Sequence, residues 1–165
     1  MHWYHFLIAE SLPHLFSIIN APESRSNDNL MATENAISAI AKICIAYKTS
    51  QVFDFNQVIA QWVETLPLLE DEAEAPAVYS LLLDLGEANH PVVCSQDPVK
   101  IRKLVYIVTE VLIRPELLET HADITERMVK LLSSILSRCD PALRGSLWSQ
   151  LEPETQSYLT SHHYV

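Results

Sequence analysis

Every strongly apolar stretch of this sequence repeats at the period of an α-helix, and none keeps the strict alternation of a half-buried strand. The clearest case is "NDNLMATENAISAIAKICIAYK", from Asn27 to Lys48. Leu30, Ile37, Ile40, Cys44 and Tyr47 form one stripe, and Ala36, Ala39 and Ile43 widen it beyond the arc that one packing partner covers. A helix apolar on two sides needs neighbours on two sides. Thr33, Glu34 and Asn35 interrupt it with polar groups. Asn35 is assigned as the buried one, bonded to a neighbouring loop or helix end, because an unpaired buried amide costs about 1–3 kcal/mol. Exposure of Asn35 to solvent is the alternative.

The other segments read alike. Residues 2–20 predict a first helix with Leu7, Ile8, Leu12, Leu15, Phe16 and Ile19 inward, bent or restarted at Pro13. Ser26, Asn27 or Asp28 is placed to cap the second helix. Asp54 or Asn56 caps a third, carrying Phe55, Val58, Ile59, Trp62, Val63 and Leu66 and ending at Pro67. A fourth runs through "EDEAEAPAVYSLLLDLGEANHP", with its acidic residues in the first turn, where the macrodipole favours them. Pro76 fits this helix only within its first turn. Asp97 caps a fifth helix that has Pro98 at its first position. A sixth covers Asp123 to Arg138, and "DPALRGSLWSQL" and "EPETQSYLTSHH" close the chain as two short helices.

These patterns predict an all-α fold, either a bundle or a solenoid of helix pairs. The pairs fall at roughly 2–47, 55–89 and 98–138, with capping helices over 141–163. A pair period near 40 residues is that of HEAT or armadillo repeats. A solenoid accounts for the second helix, since an inner helix packs on its own partner and on both neighbouring repeats. The 165 residues suffice for one core or one run of such repeats, read here as a single segment 1–165.

Glycine occurs only twice, at Gly86 and Gly145, so the chain has neither a dinucleotide fingerprint nor a phosphate-cradling loop. A net charge of −10 opposes nucleic acid and anionic membranes and favours basic partners. Cys44, Cys94 and Cys139 lack paired zinc spacing and read as buried thiols of a reducing compartment. The first residues lack the features of a membrane span or signal peptide. They begin inside a helical pattern, which predicts a fragment whose open end carries an apolar patch at Trp3, Phe6 and Leu7.

The stretch "ESLPHLFSIINAPESRSNDNLMATENAISAIAKI" resembles the C-terminal HEAT repeats of nuclear import receptors of the importin beta-3 type, within the beta-karyopherin superfamily. The resemblance continues in "VIAQWVETLPLLEDEAEAPAVYSLLLDLGEANHPVV" and "LWSQLEPETQSYL", and is weakest from Cys94 to Cys139. It implies an α-α superhelix, a HEAT-repeat solenoid of armadillo-like fold. It also implies protein cargo, control by the Ran GTPase, contact with phenylalanine–glycine nucleoporins, and shuttling between cytoplasm and nucleus. The family's principal Ran surface and main cargo groove lie in earlier repeats, so this segment would act as the end of such a receptor. The expectation is a monomeric binding protein without a cofactor. A HEAT-like scaffold with no transport role is the other reading.

Few residues stand out as sites. Glu70, Asp71, Glu72 and Glu74 form either a solvated helix start or a contact for a basic partner. Trp62 is either core or a partner anchor, and its spacing with Val58, Ile59 and Leu66 favours core. His2 and His5 lie one turn apart but read as a solvated or partly packed face, and His162 and His163 as a frayed end. No Ser/His/Asp or Cys/His arrangement stands out, so no catalysed reaction is expected.

Overall fold

The computed structural model describes residues 3–165, with side chains described at 7, 8 and from 10 onward. Eight α-helices follow in order: α1 Trp3–Ile19, α2 Leu30–Tyr47, α3 Phe55–Thr65, α4 Ala75–Glu87, α5 Pro98–Leu112, α6 Ala122–Arg138, α7 Pro141–Ser149 and α8 Pro153–Ser161. A 3-10 turn, Pro115–Leu118, lies between α5 and α6. No strand occurs among the described residues, and the packing of neighbouring helices is that of a helical repeat protein.

The caps show why the helices start where they do. The Asp54 side chain accepts from the Gln57 amide at 3.1 Å, Asp97 from Val99 at 2.9 Å, and Asp140 from Leu143 at 2.8 Å. Each of these satisfies one amide that a first turn leaves orphaned. Asp54, not Asn56, therefore starts α3. At α2 the expected caps do not act: Asn29 takes the N-cap position with no side-chain bond. The carbonyl of Ser26 instead accepts the amides of Asn29 and Leu30 at 3.0 and 2.8 Å. Pro13 sits inside an unbroken α1, so the helix does not restart there.

The chain divides into two compact units, one ending at Leu81 and the other beginning at Leu82, with the boundary inside α4. In the first, α2 lies between α1 and α3 and packs on both. Its wide apolar surface is thereby accounted for: Ala36, Ile37, Ile40, Ala41 and Cys44 are all buried. Trp62, Ile59, Leu66, Leu68 and Tyr79 complete this core.

In the second unit α5 is the central helix, contacted by α6, α7, α8 and the 3-10 turn. Leu104, Ile107, Val108 and Val111 of α5 and Met128, Leu132 and Ile135 of α6 are buried, as are Leu147 and Leu159 from the last two helices. The Leu131 side chain of α6 sits against Gly86 of α4, where a Cβ would lie 3.1 Å from Leu131 Cδ1. Arg127 of α6 closes this contact with 2.7 Å bonds to both Asp84 and Glu87.

All three cysteines are free thiols. Burial pushes Cys44 up to about 12, and Cys139 is buried as well. Cys94 is half-buried and donates to the Gly86 carbonyl at 3.4 Å. No helix among the described residues is long and apolar enough to cross a membrane.

Candidate functional site

The polar residues of α2 face two loops. Thr33 donates its hydroxyl to the Ser24 carbonyl at 2.6 Å, which ties down the turn before α2. Glu34 is 1% exposed, and its carboxylate accepts the backbone amides of Leu69 at 2.8 Å, Glu70 at 3.0 Å and Asp71 at 2.8 Å. Three successive amides pointing at one anion form a concave nest, and bonds to an ionised acceptor are stronger than neutral ones. A carboxylate can be buried here because the backbone satisfies it. Asn35, the residue assigned above as buried, is exposed. It lies one step off the stripe on which Glu34 shares a face with Ile37, Ala41 and Cys44.

The segment that Glu34 holds is fixed from other sides too. Leu66–Pro67 is a cis peptide, and Leu66, Pro67 and Leu68 are buried. The Arg25 guanidinium donates to the Thr65 carbonyl and, at 3.3 Å, to that of Pro67. The Tyr79 hydroxyl accepts the Leu68 amide at 2.9 Å and donates to the Leu68 carbonyl. Four consecutive amides, 68–71, thus donate to side-chain oxygens. Beneath them, Trp62 is fully buried and donates its indole N–H to the Ile37 carbonyl at 3.1 Å.

This frame presents the acidic run. The regular helix α4 begins at Ala75, so Glu70, Asp71, Glu72 and Glu74 precede it rather than fill its first turn. Pro76 then falls in the first turn, where its missing N–H leaves no bond unmade. The four carboxylates play different parts. Asp71 accepts the Glu74 amide at 3.1 Å and caps the entry to the helix. Glu74 binds Lys42 Nζ at 2.6 Å and accepts the Ser38 hydroxyl. Glu70 and Glu72 are exposed. The geometry therefore brings the four together but leaves two of them directed to solvent.

The Lys42 ammonium, and after it the Ser38 hydroxyl, hold the Glu74 carboxyl below its ordinary value of 4.5. A group with a depressed folded pKa contributes stability that is complete above its unfolded value and is lost as pH falls through the folded value. Replacing Lys42 by alanine is therefore expected to lower stability at pH 7, with the gap from the unsubstituted chain narrowing as pH falls below about 4.5. Urea unfolding at steps from pH 7 to pH 3 measures this; a gap that stays constant across the series would contradict it.

The remaining candidates fall elsewhere. His2 lies outside the described residues, as do the side chains of His5, Trp3 and Phe6; Leu7 is exposed. At the other end His162 stacks on Tyr158 with ring centroids 4.0 Å apart. No group of three or more metal-ligating side chains occurs among the described residues.

No family model matches the chain. It is 35% identical over 130 residues to Importin subunit beta-3 of Saccharomyces cerevisiae, an alignment that covers 79% of this chain and 12% of the yeast protein. The chain thus spans a small part of that relative's length.

Proposed function

We propose that this chain forms part of a nuclear transport receptor of the importin beta type, and that it works by binding proteins rather than by transforming a substrate. The observation that carries the reading is the 35% identity with the yeast importin subunit, extended over most of these residues. The helical packing supports it, because stacked helix pairs offer long surfaces for distributed contacts. On this reading the partners are basic protein cargo, the Ran GTPase and phenylalanine–glycine nucleoporins, and the protein shuttles between cytoplasm and nucleus. The segment serves as the end of a HEAT-repeat superhelix. Glu70 and Glu72 are the contacts for a basic segment, with Asp71 and Glu74 holding the turn that presents them.

The test is nucleotide discrimination by Ran. The full-length protein that contains these residues is immobilised, and Ran loaded with GTP is compared with Ran loaded with GDP. A strong preference for the GTP form is expected. Equal binding, or none, would overturn the transport reading in favour of a HEAT-like scaffold.

A further inference from the structure

In the second unit an open groove of about 590 Å³ lies between the end of α5, the 3-10 turn, the start of α6, and α8 with the residues after it. Four charged side chains line it: Arg114, Glu116, Glu119 and Glu126. Arg114 is already neutralised, because its guanidinium binds the Glu110 carboxylate and the Glu110 carbonyl, each at 2.8 Å. Glu116, Glu119 and Glu126 are exposed, and no ion pair joins them to a cation among the described residues. The groove is therefore lined by three uncompensated carboxylates.

Two half-buried tyrosines share that lining. Tyr158 and Tyr164 meet edge to face with ring centroids 6.5 Å apart, and His162 stacks on Tyr158. The backbone fixes this arrangement: His163 has a φ of 57°, and the Tyr164 amide donates to the Leu159 carbonyl at 3.0 Å, which folds the residues after α8 back on it. Burial first, then Tyr164 and the Glu116 carboxylate, hold the Tyr158 hydroxyl above its ordinary value of 10.0, so the Glu116 charge is felt at the ring. Rings and carboxylates together suit a cation. The ring quadrupole attracts it within about 6 Å of the centroid, and the carboxylate pairs with it. Low-dielectric walls focus such a field, and the net charge of −10 adds to it at long range.

We propose that this groove docks an arginine-bearing segment of another protein, with the guanidinium beside the Tyr158 and Tyr164 rings and on the Glu116 carboxylate, and an apolar neighbour over Pro115 and Ala122. Arginine fits better than lysine because its planar fork stacks on rings and binds a carboxylate through two bonds at once. The site belongs to the second unit and does not rest on the transport reading, whose acidic contacts are Glu70 and Glu72 of the first.

The probe is a peptide with one arginine between two leucines in a glycine–serine background, carrying a neutral fluorophore. Its twins have citrulline or lysine for arginine; citrulline keeps the shape and removes the charge. Binding to the full chain is read by fluorescence anisotropy. The arginine peptide is expected to bind saturably and about tenfold more tightly than the citrulline twin, the gain of one charge-assisted contact. Glu116→Gln and Tyr164→Leu each weaken it about fivefold or more. Glu70→Gln combined with Glu72→Gln leaves it unchanged, which separates this site from the acidic turn. Because Glu116 is exposed and outside any ion pair, Glu116→Gln leaves Tm within about 2 °C, so lost binding is not lost folding. No saturable binding of the arginine peptide, a citrulline or lysine twin that binds as tightly, or indifference to Glu116→Gln would each overturn the proposal.

Discussion

Replacing Glu34 by alanine is expected to lower the unfolding free energy by about 2–5 kcal/mol, the cost of leaving several buried amides without their charged acceptor. The carboxylate holds three amides in a place from which it is itself shielded. Bonds to a charged acceptor contribute roughly 1.5–3 kcal/mol each when taken singly, and each buried donor left unpaired costs about 1–3 kcal/mol. The sum is not additive, because Glu70 is exposed and water reaches its backbone more easily than that of its neighbours. Against a total stability of about 5–15 kcal/mol, the loss is a large fraction. Glutamine at the same position keeps the volume and one acceptor, and should cost about 1–3 kcal/mol. Urea unfolding gives both values. Hydrogen exchange gives the location: the amides of residues 69–71 should lose protection before those of α2. A loss below about 1 kcal/mol for alanine would mean that water satisfies these amides and that Glu34 does not organise the segment.

That effect also marks where sequence reasoning stopped. Helix periods, the Asp97–Pro98 start and the inward face of α3 were readable because each rests on neighbouring residues obeying a local rule. The all-α class follows from the same rules. The wide face of α2 correctly called for two packing neighbours. The assignment of Asn35 as the buried polar group fails on register, and its alternative, exposure to solvent, is what the structure has. Glu34, Ile37, Ala41 and Cys44 share one stripe, and that spacing was the available signal. What no local pattern carries is the partner: three backbone amides 35 to 37 residues away, brought into reach by the fold.

The acidic run shows the same limit. Its composition suits a helix start, and Asp71 does cap one. The fold assigns Glu74 to Lys42 and leaves Glu70 and Glu72 outward.

Trp62 provides the second large effect, and it separates two roles that spacing alone leaves together. The ring has 0% exposure and its N–H is bonded to the Ile37 carbonyl, so it joins α3 to α2 from within. Alanine there removes the largest fully buried side chain among the described residues, and the expected cost is about 3–5 kcal/mol, because the surrounding side chains close only part of the cavity. Phenylalanine keeps most of the ring and should cost less than alanine. The Ile37 carbonyl lies within α2, so losing the indole N–H leaves it a helical donor and adds only a modest term. A partner anchor behaves differently: its removal weakens binding at unchanged stability. Urea unfolding of the Trp62→Ala and Trp62→Phe chains distinguishes these. The core role requires a large loss for alanine and a smaller one for phenylalanine; unfolding midpoints that match the unsubstituted chain would move Trp62 to the surface and undo the account of how α2 and α3 are joined.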